Sequence, residues 1–94
     1  MEYFLENDYL KVTVTTFGAQ VNSVIRKCDG VEHMWKADKN VWGYHAPVLF
    51  PHCGKVTDGI IEAKGSKFKS AQHGFARLLE HTFVDQSADT LVLE

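Results

Sequence analysis

Two cysteines, Cys28 and Cys53, are too few for a disulfide framework, and their separation fits neither a C-x-x-C redox pair nor a zinc-ligand pair. A reducing cytoplasm is the simplest compartment for such a chain. No apolar stretch approaches the roughly 18 residues that a membrane-spanning helix needs. The opening, Met1 to Asp8, lacks the basic and apolar regions of a signal peptide. Basic residues are not in excess either: 10 Lys and Arg stand against 12 Asp and Glu, a formal net charge of −2. Without a basic stripe, neither nucleic acid nor a membrane surface is expected as a partner. Low-complexity tracts, charge runs, internal repeats and long helical patterns are all missing. The 94 residues therefore amount to one domain at most, with ordinary apolar (45%) and charged (23%) shares.

What is there reads as β throughout. Tyr9 to Thr16 alternates Leu10, Val12 and Val14 with Lys11, Thr13 and Thr15, the period of a half-buried strand. Phe17-Gly18-Ala19 makes a turn, and Gln20 to Lys27 makes a second strand. Asp29-Gly30 then signals a hairpin leading into Val31 to Met34. Trp35 to Tyr44 fits neither period and is expected to be irregular or a short helical turn. Val48-Leu49-Phe50 is a short apolar run closed by Pro51, which suits a strand end. Two further hairpins are expected, around Lys64-Gly65-Ser66 and around Ser87-Ala88-Asp89. The last residues, Leu91 to Glu94, read as a strand with an open apolar edge. Such edges pair readily, so self-association through them and a chain that is a piece of something longer are both expectations.

Reactive side chains concentrate between His45 and Arg77, where His45, His52, Cys53, Lys55, Asp58, His73 and Arg77 stand beside Gly54, Gly59 and Gly74. Gly54-Lys55 is not a phosphate loop, because Val56 follows the lysine and neither the first glycine nor a following helix is present. His45, His52, Cys53 and His73 are acceptable zinc ligands, but no spacing among them matches a ligand pair, so no metal and no cofactor is expected. Trp35, Trp42, Tyr44, Phe50, Phe68 and Phe75 supply aromatic faces around this polar set. That combination suits a sugar, whose C–H faces need aromatics and whose hydroxyls need fixed donors and acceptors. A core of aromatics with a polar rim explains the same composition, and both readings stay open on residue types alone.

Two motifs add a resemblance. The stretch His45-Ala46-Pro47-Val48-Leu49-Phe50-Pro51-His52-Cys53-Gly54-Lys55 resembles the Pro-x-Leu-Phe-Pro, two residues, Gly-Arg pattern of aldose 1-epimerase (galactose mutarotase-like) proteins. Downstream, Gln72-His73-Gly74-Phe75-Ala76-Arg77 is similar to that family's His-Gly-Phe-Ala-Arg motif, and the pattern resembles the LacX-type subgroup in particular. The resemblance covers essentially the whole chain. It implies the N-terminal portion, residues 1–94, of a single all-β antiparallel β-sandwich with a sugar cleft across one concave sheet.

It also implies a chemistry. Family members interconvert the α and β anomers of free aldoses: a carboxylate base takes the anomeric hydroxyl proton, a histidine protonates the ring oxygen, and the opened sugar recloses on its other face. His73 matches the first active-site histidine, which hydrogen-bonds the sugar near its ring oxygen and is the catalytic candidate here. Lys55 stands at the position of a sugar-contacting arginine and offers a point charge in place of a planar fork. Arg77 matches the motif arginine, with a loop-bracing role equally open, and Phe75 completes the substrate-binding set. Leu78 stands where an acidic residue commonly follows, and His52-Cys53 replaces a pair that is usually apolar. The family's second histidine and its glutamate base lie far downstream of the motif, and Glu62, Glu80 and Glu94 match neither. The expected partner is therefore a small aldose sugar, with catalysis incomplete in these residues. A non-catalytic carbohydrate-binding or regulatory module on the same fold is the alternative.

Overall fold

Side-chain alternation builds the first sheet. In the computed structural model, which describes residues 1–94 throughout, strands β1 (Glu2–Glu6), β2 (Leu10–Thr15), β3 (Gln20–Arg26) and β4 (Val31–Glu32) form an antiparallel meander in sequence order. Tyr3 and Leu5 lie opposite Val14 and Val12, which in turn lie opposite Val21 and Val24. One face is thus apolar across three strands. Val21 and Val24 are three residues apart and would sit on opposite faces of a regular strand. A bulge at Asn22 takes up the extra residue and returns both valines to the same face.

Strand β1 was not evident in the sequence, because Phe4 interrupts its alternation. Phe4 points to the other face, where the Lys11 ammonium lies 5.3 Å from its ring centroid. The expected strand over Val31–Met34 is shorter, and the cause is local. The Glu32 carboxylate accepts the amide protons of Val24 (2.8 Å) and Met34 (2.9 Å), which turns the chain out of the ladder.

Two hairpins follow where the turn residues put them. Strands β5 (Ile60–Ala63) and β6 (Ser66–Lys69) pair about Lys64-Gly65, and β7 (Phe83–Gln86) pairs with β8 (Leu91–Leu93). The second hairpin docks on β1 through stacking of Phe83 on Tyr3, with centroids 5.0 Å apart, and a Gln86 side-chain bond to the Phe4 carbonyl (2.8 Å). The Val48–Phe50 run does not become a strand; it makes one isolated parallel bridge, Phe50 to Gly74. The helical content is two single 3₁₀ turns, Thr57–Gly59 and Ala76–Leu78. The structure is therefore the all-β, antiparallel arrangement expected. No helix is long and apolar enough to cross a membrane.

The loop carrying the second motif is fastened to the first sheet at its turn. Gly18 donates its amide proton to the Leu79 carbonyl (2.7 Å), and His81 donates to the Thr16 carbonyl (2.9 Å). Gly18 has φ +72°, and a Cβ there would lie 2.7 Å from the Arg77 carbonyl oxygen. No larger residue permits this approach. The buried Thr16 hydroxyl accepts from the Met1 ammonium (2.9 Å) and donates to the Glu80 carboxylate.

Candidate functional site

Three loop segments supply the site. Asp38 shapes the first: its carboxylate accepts the Asn40 amide proton (2.9 Å), and its carbonyl accepts those of Val41 (3.0 Å) and Trp42 (2.7 Å). This side-chain-closed turn presents the Trp42 indole with 47% of its surface free. Trp35 Nε1–H holds the Trp42 carbonyl (2.8 Å), and Tyr44 packs tilted on Trp42 at 5.8 Å. His45 ties the segment to β3, its backbone amide donating to Gln20 Oε1 (3.2 Å), while its Nδ1–H donates to the Trp35 carbonyl (2.7 Å).

The second and third segments meet at Gly74. The Phe50 carbonyl accepts the amide protons of Phe75 (2.9 Å) and Ala76 (3.3 Å). At Gly74 φ is +71°, and a Cβ would lie 2.1 Å from the Phe50 oxygen and 2.6 Å from Pro51 Cδ. Only glycine fits.

His73 sits beside this junction with φ +67°, the left-handed region that a non-glycine residue seldom adopts. Such a residue costs about 1–3 kcal/mol and persists only when its surroundings hold it. Gly54 does so twice: its carbonyl accepts the His73 amide proton (2.8 Å), and its amide donates to His73 Nδ1 (2.8 Å). An amide N–H can only donate, so Nδ1 offers its lone pair and the ring proton sits on Nε2. The Gln72 side-chain nitrogen lies 3.4 Å from Nε2. An amide N–H₂ only donates, so it does not take up the Nε2 proton.

Arg77 closes the far side. Its Nη2–H donates to the Gln72 carbonyl (3.1 Å), its guanidinium carbon lies 4.9 Å from the Tyr44 ring centroid, and its Nε is buried without a partner. Together Trp42, Pro47, Leu49, Gln72, His73 and Arg77 line a cleft of about 330 Å³, within the range of small-molecule sites. It offers an aromatic face, fixed N–H donors and no carboxylate. The carboxyls held below their ordinary range lie elsewhere: Glu6 by its bond to Lys27, Asp29 by its bond to Arg26, and Glu32 by the Ser23 hydroxyl. A second hollow, about 150 Å³ between Leu5, Leu10, Val12 and the Ala88-Asp89 turn, has its Glu6 already paired with Lys27 at 2.7 Å.

Of the residues singled out in the sequence, His73 and Arg77 share this cleft. Lys55 is exposed, makes no ion pair and lies outside the lining. Phe75 also lies outside it and packs edge-on against Phe50 at 6.1 Å. His45, His52, Cys53 and His73 do not converge, and no group of three or more His, Cys, Asp or Glu side chains is placed to share a metal ion. Gln72, Pro47 and Leu49 fall within the motifs but had no role read for them. Gly54 had none either, since nothing in a sequence shows that an amide will meet a ring nitrogen on a distant loop.

The family model for aldose 1-epimerase matches residues 1–94. The chain belongs to the aldose 1-epimerase family. Among this family's relatives, the chromosomal LacX protein of Lactococcus lactis subsp. lactis is 35% identical over 92 residues, covering 93% of this chain. A galactose mutarotase related enzyme from Lactobacillus acidophilus superposes with a TM-score of 0.93 at 34% identity over 99% of this chain. A galactose mutarotase-like protein from Lactobacillus casei gives 0.90 at 31% identity, again over 99%. This aldose 1-epimerase-family chain spans 30% of the LacX length and 31% and 32% of the two solved chains.

Proposed function

We propose that the cleft binds a free aldohexose as part of an aldose 1-epimerase site, with His73 donating its Nε2 proton to the sugar ring oxygen. The observation that carries this reading is the Gly54 amide on His73 Nδ1 (2.8 Å), which commits the other ring nitrogen to donation. When the C1–O bond of the ring breaks, its electron pair moves onto the ring oxygen, and a fixed donor there stabilises the growing charge. Trp42 offers a face for the sugar C–H surface, and Arg77 has guanidinium donors to spare for a hydroxyl. Lys55, outside the lining, would reach the sugar only at its edge, and Phe75 acts through Phe50 by holding the loop. The base that removes the anomeric proton is not among the cleft residues, so anomer interconversion by these residues alone is expected to be incomplete. A cytoplasmic setting goes with this reading, since Cys28 and Cys53 are exposed and unpaired.

Saturation-transfer NMR with glucose and galactose tests binding, and exchange spectroscopy of their anomers tests turnover. Binding that disappears in a folded His73→Ala variant is expected. Equal binding by that variant would overturn the assignment of His73. Binding without faster anomer exchange is the outcome of a carbohydrate-binding module on this fold.

A further inference from the structure

We infer that His52 and Ser70 are positioning residues for His73, forming a relay that fixes which nitrogen of the His73 ring carries the proton. The inference rests on the aldose-binding reading of the cleft, and it concerns two residues to which that reading gives no part.

The relay can be followed proton by proton. His52 Nδ1 lies 3.1 Å from the Gly54 carbonyl oxygen, which can only accept, so Nδ1 carries the His52 proton. His52 Nε2 therefore presents a lone pair, and the Ser70 hydroxyl, 2.6 Å away, donates to it. Gly54 then receives two protons on its carbonyl, from His52 Nδ1 and from the His73 amide, and donates one to His73 Nδ1. The three links Ser70 to His52, His52 to Gly54 and Gly54 to His73 Nδ1 all donate toward His73, while the His73 amide donates back to the same Gly54 carbonyl. The one proton left over is that on His73 Nε2, at the cleft.

No side-chain packing fixes Gly54: a Cβ built on this half-buried residue, at φ +79°, would meet no atom within 4 Å. Its orientation, on which the His73 tautomer depends, comes from hydrogen bonds, and the only side chain that bonds its carbonyl is His52. Ser70 anchors the far end, because its own amide donates to the Gly59 carbonyl (2.7 Å) where the β5–β6 hairpin begins. The hairpin is thus coupled to a cleft that it does not line. Orientation of an imidazole through a bond to its second nitrogen is a general device of histidine sites.

The experiment compares the protein with its His52→Ala, His52→Asn and Ser70→Ala variants. Long-range ¹H–¹⁵N spectra of the imidazoles read the His73 tautomer, and saturation-transfer titration with galactose reads affinity. His52→Ala is expected to lose the dominance of the Nε2–H form at His73 and to weaken galactose binding about 2- to 10-fold, the value of one hydrogen bond. In His52→Asn the side-chain amide stands where Nδ1–H stood, and both readouts return toward the parent. Ser70→Ala is expected to change the His52 ring signals and to shift His73 in the same direction by less. A His73 tautomer unchanged in folded His52→Ala would overturn the inference. Should that variant not fold, unchanged His52 and His73 ring signals in Ser70→Ala would overturn it. If the parent binds no aldose, the reading of the cleft fails while the tautomer spectra still decide the relay.

Discussion

The hydrogen on Gly74 Cα occupies the space where a methyl group would strike the Phe50 carbonyl at 2.1 Å, and Gly54 provides its control. Both glycines lie at positive φ, but a Cβ added to Gly54 would meet no atom within 4 Å. Gly54→Ala therefore bears the left-handed backbone cost alone, about 1–2 kcal/mol. Gly74→Ala bears that cost and must also part the Phe50–Gly74 bridge, so its loss is expected to exceed the other by at least ~1 kcal/mol. Urea midpoints of the two variants check this, and equal midpoints would show that the junction yields easily. Residue types near the site were legible in advance, because His73, Gly74 and Arg77 stand in one short motif. The separation of Lys55 and Phe75 from the cleft was not legible. Adjacency along a loop says nothing about which way a side chain turns, and Phe75 turns to Phe50 only because the Phe50 carbonyl captures its amide.

Among the elements, hairpins were the part most open to sequence reasoning, since Asp29-Gly30 and Lys64-Gly65 carry turn chemistry that acts locally. What escaped was set by partners distant in sequence. Strand β1 exists because β2 supplies its ladder, and β4 stops after two residues because the Glu32 side chain takes over the hydrogen bonds. That capture makes the β3–β4 corner sensitive to acid. The Glu32 carboxyl is held below its ordinary 4.5, first by the Ser23 hydroxyl and then by the Val24 and Met34 amides. Its ionised form is the one favoured in the folded corner. The contribution is present above 4.5 and is lost as pH falls through the lower folded value. Amide exchange at Val24 and Met34 is expected to quicken, relative to the β1–β2 amides, as pH falls from about 6 to about 3. In Glu32→Gln that differential acid response is expected to be absent. A response surviving the substitution would place the titrating group elsewhere.

Taken whole, the molecule is a slab, 52 × 34 × 18 Å, with five of its 94 residues buried. Its radius of gyration is 16.1 Å, where a compact chain of this length would have about 12 Å. Its accessible surface is 6862 Å², against about 5,500 Å² for a compact monomer of the same mass. Phe4, Trp42, Phe50, Phe68, Phe75, Leu79 and Val84 are among the large apolar residues left open. The β4 and β8 edges have no further strand beside them. A structure that hides so little surface has little to expose on unfolding, and the urea dependence of stability scales with that difference. The m-value of this chain is therefore expected to fall below that of compact domains of its size. Open apolar surface and free edges also predict enhanced fluorescence of a hydrophobic dye and a sedimentation mass that climbs above 10.6 kDa with concentration. An ordinary m-value, no dye response and a constant monomer mass would together mean that the chain folds into something more closed than this slab. If instead the mass rises while the m-value measured at low concentration stays small, association is covering apolar surface that the single chain leaves in water, and the cleft with His73 must be assayed across the same concentration range to learn whether that association helps or blocks it.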